Sequence, residues 1–262
     1  SMTTEETEGS GDGIAALMPV EIARRAEQIG GQKVRERAGR IFMLAILGGA
    51  FIALGAMFAT TVLAGSAGVL PFGVSRLLAG LVFCLGLILV IVGGAELFTG
   101  NALMVMAVAA GHVRLRELLR VWGVVYAGNF VGAIGTAMLV CLSGQPSGGN
   151  GAVAAVAIKL ALDKSSLPFV QAFFLGIRCN VLVCLAVWLA IGARTITDKV
   201  LAVLFPVSAF VAAGFEHSVA NMYLIPLGLF LKAWTPAASW MSSSANAPDL
   251  AALTWPAFFC SL

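Results

Sequence analysis

Two short stretches of the chain place ionisable side chains inside long apolar runs. They share the pattern Gly-x-Glu-x₄-Asn, whose positions are Gly94, Glu96 and Asn101 in the first stretch and Gly214, Glu216 and Asn221 in the second. A charge inside an apolar segment is costly unless another group pairs with it or a function requires it. The repetition therefore marks both stretches as candidate parts of one functional site.

Each stretch also carries a hydrogen-bonding side chain just after its glutamate. Thr99 can donate one O–H hydrogen bond, and His217 can donate from one ring nitrogen when neutral and from both when charged. The bulky apolar side chains expected to narrow a pathway near them are Phe83, Leu87, Phe98 and Phe210. These residue types predict apolar constrictions around a small polar centre.

Membrane helices must position these residues. The 262 residues are 60% hydrophobic and 11% charged, with a mean hydropathy of +0.96, whereas a soluble domain is about 25% charged. The net charge of +3 is too small to indicate nucleic-acid binding. The five cysteines lack metal-type spacing, so we expect no metal and no other cofactor.

The chain is predicted to have three parts. Residues 1–13 are acidic and rich in Gly and Ser, which favours a disordered tail. Residues 14–36 form an amphipathic helix over 14–29 and a basic segment after it. The remainder, 37–262, is a single all-α transmembrane domain.

Five apolar stretches are predicted within this domain, and two of them are too long for one straight span. They cover 41–65, 77–111, 118–141, 169–191 and 200–231, with a weakly amphipathic piece at 152–162. The second has 35 residues, about 52 Å of helix against a bilayer core of about 30 Å. We expect this stretch to break at Gly93, Gly94 and Gly100, and the fifth to break at Pro206, Gly214 or Pro226.

The two broken stretches hold corresponding positions and must run in opposite directions. This pattern is typical of inverted-repeat transport proteins, with a first repeat at about 40–143 and a second at about 168–262. Broken helices in lipid are tolerated where they line a pathway, and their half-helix N-termini favour anions. We expect Glu96 and Glu216 to brace the breaks by accepting hydrogen bonds from the backbone N–H groups left without partners.

The basic residues predict the orientation of the chain. Eleven of them lie on the side of the N-terminus and four on the other side, while Arg178 lies within a span and has no assigned role. The basic side of a membrane protein is normally cytoplasmic, so we expect the N-terminus inside.

Four motifs resemble those of the formate/nitrite transporter family. They are GAELFTGNALMV at 94–105, VVYAGNFVGA at 124–133, GIRCNVLVCLAVWLA at 176–190 and FPVSAFVAAGFEHSVANMYLIPLG at 205–228. The resemblance implies an aquaporin-like inverted repeat and a homopentamer in the bacterial inner membrane, with one pore per subunit. It also implies transport of small monovalent anions such as formate, nitrite and hydrosulfide.

The resemblance also assigns roles to individual residues. Thr99 and His217 match the central pair of the pore, with Asn180, Asn221 and Glu216 near the histidine. Leu87 and Phe98 match a constriction, and Phe83 and Phe210 line the vestibules. Lys164 and Lys33 match lysines at the periplasmic and cytoplasmic mouths.

One feature departs from the family pattern. The family has a sixth span, carrying a GN-x-x-G motif, after a segment like FFCSL, and this sequence ends at that segment. We therefore expect an incomplete second repeat, and an inactive truncated homologue stays open as an alternative function.

The residues support a hypothesis for permeation and leave other functions open. Shedding water is costly for a bare anion, and His217 could lower this cost either as a cation or as a proton donor. A pore for water or glycerol is one alternative, although the Asn-Pro-Ala pair of aquaporins is absent. A hydrolase that uses Ser147 or Ser218 with His217 is another alternative. We expect, however, that the protein is not an enzyme.

Overall fold

The computed structural model describes residues 17–66, 68–234 and 250–262, and all regular structure in these ranges is helical. The predicted tail at 1–13 lies outside them. The helices are α1 (Pro19–Arg35), α2 (Ala38–Leu63), α3 (Phe72–Gly93), α4 (Val105–Ala109), α5 (Leu115–Leu142), α6 (Ala152–Ser165), α7 (Phe169–Gly192), α8 (Ile196–Ala212), α9 (Ser218–Trp234) and α10 (Trp255–Cys260). Short 3-10 turns cover Gly100–Met104 and Gln145–Ser147.

Four of the described helices are long and apolar enough to cross a membrane, namely α2, α3, α5 and α7. They have 22 to 28 residues, which gives lengths of about 33–42 Å against a bilayer core of about 30 Å. Helices α8 and α9 have 17 residues each. They divide the fifth apolar stretch into two pieces that are each shorter than a usual span.

The two predicted breakpoints at Gly94 and Gly214 have the same local geometry. Gly94 has a φ of +72° and Gly214 a φ of +74°, a left-handed conformation that favours glycine. At each site a backbone N–H reaches back five residues to a carbonyl, from Ala95 to Val90 at 2.9 Å and from Phe215 to Phe210 at 3.0 Å. This is the hydrogen bond that closes a helix ending in a left-handed residue.

The boundaries differ from the sequence predictions at two places. Pro206 lies inside α8 and Pro226 inside α9, so neither proline ends a helix. Packed neighbours allow membrane helices to continue through proline, because other groups satisfy the carbonyl that loses its N–H partner. The first amphipathic helix runs from Pro19 to Arg35, and 14–16 lie outside the described residues.

Helix α2 is the centre of the packing, because α5 and α3 lie against it and α3 in turn packs on α8. The contact between α2 and α5 depends on glycines. A Cβ atom at Gly132 would collide with the carbonyl oxygen of Ile46, and one at Gly49 with that of Asn129. Small residues of this kind let two membrane helices bring their backbones together.

We predict that Gly132→Ala lowers the thermal stability of the protein in detergent. The added methyl group meets backbone that cannot move aside without separating α2 from α5, and such overpacking costs about 1–3 kcal/mol. Gly135→Ala is the matched control on the same helix, since nothing lies within 4 Å of a Cβ atom there. Equal midpoints of thermal unfolding for the two variants would contradict the packing argument.

Candidate functional site

The segment after the first break is held by Asn129, a fully buried residue of α5. Its Nδ2 group donates to the carbonyl oxygens of Ala45 at 2.7 Å and Glu96 at 2.8 Å, and its Oδ1 atom accepts from the N–H of Phe98 at 2.9 Å. The N–H of Glu96 donates to the carbonyl oxygen of Leu44 at 3.1 Å. Groups outside the broken helix therefore satisfy the backbone that the break exposes.

The glutamate of the first stretch pairs with a lysine from α1. Lys33 Nζ lies 2.8 Å from Glu96 Oε2 and 2.6 Å from Asn101 Oδ1. Asn101 Nδ2 donates to the same Glu96 oxygen at 2.8 Å. Lys33, Glu96 and Asn101 thus form a closed group of three side chains that ties α1 to the segment after the first break.

The second stretch has a matching group, with the lysine supplied by α6. Lys164 Nζ donates to both carboxylate oxygens of Glu216, at 2.8 and 3.0 Å, and Asn221 Nδ2 donates to Glu216 Oε2 at 2.9 Å. The Oδ1 atom of Asn221 is buried and finds no partner among the described residues. The two groups differ here, because in the first group the lysine also reaches the asparagine, whereas Asn221 Nδ2 also donates to the carbonyl oxygen of Ser261 at 3.1 Å.

These contacts revise the predicted role of the two glutamates. We expected their carboxylates to accept backbone N–H groups at the breaks, but the partners in the described chain are lysine and asparagine side chains. Backbone support at the first break comes from Asn129 instead. A lysine is the better partner for a carboxylate in an apolar setting, because the pair removes two isolated charges at once.

The two breaks meet at Thr99 and His217, which are 118 residues apart in sequence and 3.1 Å apart between Oγ1 and Nε2. The N–H of Ala220 donates to the Nδ1 atom of His217 at 3.1 Å, so the histidine caps the start of α9. Because Nδ1 accepts, the proton of the neutral ring lies on Nε2 and points at Thr99. The Thr99 hydroxyl is then free to donate its own proton to a third group.

Aromatic and aliphatic side chains surround this polar pair. The ring of Phe210 stacks on the His217 ring at 5.8 Å, and Phe83 meets Phe210 edge-on at 5.8 Å. Phe98 packs against Tyr126 and Trp122. Leu87 is buried in the apolar core.

Two cavities border His217, Glu216 and Lys164. The smaller cavity, of about 300 Å³, is also lined by Phe83 and Phe210. The larger one, of about 1130 Å³, lies along α7 and is also lined by Thr99, Phe98, Asn180 and Asn221. Leu87 borders neither cavity, and its role as a constriction stays a prediction.

The cations of the two groups lie at opposite ends of the bundle. Lys33 precedes the first residue of α2, whereas Thr61 in its last turn accepts a hydrogen bond from Gln145, in the turn before α6. We call these the α1 end and the α6 end. Lys33 belongs to the first and Lys164 to the second.

Arg178 and Asn180 lie two residues apart on α7 but have different surroundings. Asn180 lines the larger cavity, and its Oδ1 atom is buried without a partner among the described residues. The guanidinium carbon of Arg178 lies 4.2 Å from the centre of the Phe215 ring, an arrangement favourable for a cation–π contact. Within the described ranges no group of three or more His, Cys, Asp or Glu side chains could hold a metal ion.

The sequence analysis missed three residues that shape the site: Asn129, Trp122 and Arg76. Trp122 Nε1 donates to the carbonyl oxygen of Asn101 at 3.0 Å, and Arg76 donates to carbonyl oxygens at the end of α8. Each is a polar or amphipathic side chain at an apolar position. That signal could have selected Asn129 and Arg76, but their partners are visible only in the folded chain.

An all-helical bundle with two helix breaks meeting at a polar pair defines a membrane channel or transporter. The chain belongs to the formate/nitrite transporter family, whose family model matches residues 20–261.

Relatives named as formate channels or transporters support this membership. The chain is similar to the formate channel FocA of Haemophilus influenzae, with 42% identity over 82% of this chain and 75% of the relative. It is 39% identical to FocA of Escherichia coli K12, over 89% and 81% of the two chains. A probable formate transporter of Methanothermobacter thermautotrophicus is 37% identical, over 81% and 83%.

Solved structures show the same fold. One is a pentameric formate channel with formate bound, with a TM-score of 0.77, 38% identity and coverage of 85% of this chain and 87% of that one. Another is an ion channel of the same family, with a TM-score of 0.76, 28% identity and coverage of 92% and 90%.

We predict that Asn129→Leu destabilises the first break. The substitution removes three hydrogen bonds to or from buried backbone, and at about 1 kcal/mol each the expected loss is about 3 kcal/mol. The measurement is thermal unfolding of the purified protein in detergent. Thr136→Val is the control on the same helix, since among the described residues that hydroxyl bonds only the Gly132 carbonyl of α5. A similar loss in both variants would refute the bracing role.

Proposed function

We propose that this protein conducts small monovalent anions, with formate as the first candidate, past the pair formed by Thr99 and His217. The observation that carries the proposal is the meeting of these two side chains from separate helix breaks, where His217 borders both cavities. The family membership and the names of the relatives support the same substrate class.

Electrostatics explains why an anion would be accepted at this centre. An anion loses its water shell between apolar walls, which is costly unless donors replace the lost hydrogen bonds. The free proton of the Thr99 hydroxyl supplies one donor, and Lys33 and Lys164 place positive charge toward the two ends. Because both lysines pair with glutamates, the pathway attracts an anion without holding it tightly.

The assembly and orientation follow from the same relatives and from the distribution of charge. A solved relative is a pentameric channel, and we propose that this chain also forms a homopentamer with one pathway in each subunit. We place it as a multi-pass protein of the bacterial inner membrane. The excess of basic residues on the α1 side supports a cytoplasmic N-terminus.

His217 gives the flux its dependence on pH in this proposal. A second proton on the ring would sit on Nδ1, where the N–H of Ala220 already points, so protonation must disturb the start of α9. His217 therefore couples proton uptake to the geometry of the second break. A proton held there can pair with the anion or pass to it for the crossing.

We predict that His217→Asn abolishes the difference in formate flux between neutral and acidic pH. The amide side chain keeps a donor and an acceptor but does not titrate near neutrality. The measurement is uptake of radiolabelled formate into proteoliposomes, with and without a pH gradient. A variant that keeps both the rate and the pH profile of the wild type would refute the role of His217.

Thr99→Val tests the hydroxyl donor in the same assay, because it removes the O–H group with little change of shape. We expect the formate flux to fall about tenfold or more, which corresponds to one lost hydrogen bond to a charged group. Thr61→Val is the control, since Thr61 is an exposed residue near the end of α2. Equal losses in both variants would show that the hydroxyl of Thr99 has no special part.

The alternative functions would give different results in the same proteoliposome assay. A pore for neutral solutes would accelerate osmotic swelling without formate flux, and an inactive homologue would do neither. A serine hydrolase is disfavoured because both ring nitrogens of His217 are occupied, one by Thr99 and the other by the N–H of Ala220. The relatives are channels and transporters, which also favours a non-enzyme.

A further inference from the structure

Arg76 lies one turn into α3 and reaches across to the end of α8. Its Nη2 group donates to the carbonyl oxygen of Val211 at 2.7 Å, and its Nε group donates to that of Ala212 at 3.3 Å. These carbonyls belong to the last turn of α8, just before the break at Gly214. The side chain therefore holds the α3–α8 contact and the α6 end of the second break.

The carbonyl end of a helix attracts a cation, and Arg76 provides one. The second repeat has no counterpart of this arginine. The two glutamates are 120 residues apart, and the residue 120 positions after Arg76 is Ile196. Arg76 is thus an added feature of the α6 end. A lysine or a water molecule could cap carbonyls equally well, so capping alone leaves the choice of arginine unexplained.

The guanidinium group of Arg76 has N–H donors that bond no other residue in the described chain. Arginine carries five N–H groups, and in the part of the chain that the structure describes two of its nitrogens each bond one carbonyl. The side chain is half-buried and lines the smaller cavity. The remaining N–H groups can therefore face a molecule in that cavity.

The charges around this cavity leave Arg76 without a carboxylate partner among the described residues. Glu216 is paired with Lys164, and Asp163 is paired with Lys159. The cavity of about 300 Å³ has room for a small anion together with several waters, at about 30 Å³ per water. Gln171 also lines it and adds an uncharged amide group that can donate hydrogen bonds.

We propose that Arg76 forms an anion-binding site in the cavity at the α6 end, which takes a small planar oxyanion before it reaches His217. The planar guanidinium matches the two oxygens of a carboxylate such as formate, which a lysine cannot do. The last carbonyls of α8 fix the guanidinium in place and leave its other edge to the anion. This inference rests on the proposed anion conduction and adds the residue that captures the anion.

The test compares Arg76→Gln and Arg76→Lys in the proteoliposome assay with radiolabelled formate. We expect Arg76→Gln to raise the half-saturating formate concentration about five- to tenfold, the effect of one partly exposed charge-assisted contact. It should also weaken the fall in initial rate that added salt causes. Arg76→Lys should keep the salt dependence and show an intermediate half-saturating concentration. Lysine keeps the positive charge but lacks the paired N–H groups of the guanidinium.

Arg116→Gln is the matched control, since it removes one exposed arginine near the start of α5, at the α1 end. We expect its half-saturating concentration to equal that of the wild type. If Arg76→Gln lowers only the maximal rate and the thermal stability, Arg76 is a helix cap and the anion site is refuted. Should Arg76→Gln fail to fold, a wild-type half-saturating concentration in Arg76→Lys would refute the guanidinium site in the same way.

The assay also separates this inference from the proposed function. Wild-type vesicles that take up no formate or other small anion would overturn both. Wild-type vesicles that conduct formate, with an unchanged half-saturating concentration in Arg76→Gln, would overturn the anion site alone.

Discussion

The backbone groups released by two helix breaks inside an apolar bundle must find hydrogen-bond partners, and much of the site is arranged around that need. Each unsatisfied N–H or C=O group in hydrocarbon costs several kcal/mol. Asn129 supplies partners for the carbonyl of Glu96 and the N–H of Phe98, and Arg76 supplies them for the last turn of α8. Both residues come from neighbouring helices, so the breaks are stable only while α3, α5 and α8 are packed together.

A second consequence is that the intramembrane carboxylates are neutralised by helices outside the spans. Glu96 depends on Lys33 of α1, and Glu216 depends on Lys164 of α6. These short helices are therefore structural parts of the site and not only flanking segments. With both carboxylates paired, Thr99 and His217 remain as the polar pair where the two breaks meet.

Much of this arrangement could be predicted because charged side chains are unusual in apolar sequence. A glycine followed by a glutamate marked each break, and the left-handed φ of Gly94 and Gly214 explains why glycine stands there. The prolines misled the prediction, since Pro206 and Pro226 continue their helices. Proline removes one N–H and strains one turn, whereas a left-handed residue cannot continue a right-handed helix, so the latter is the stronger signal of an end.

The sequence alone determined the all-helical class, the two apolar stretches that contain a break and the polar residues that follow each break. These depend on composition and local conformation, which neighbouring residues settle. Only the tertiary structure decided that Lys33 and Lys164 pair with the glutamates, that Asn129 braces the first break and that Thr99 meets His217. Such contacts join residues 31 to 118 positions apart, and their distances are set by how the helices pack, which no local pattern records.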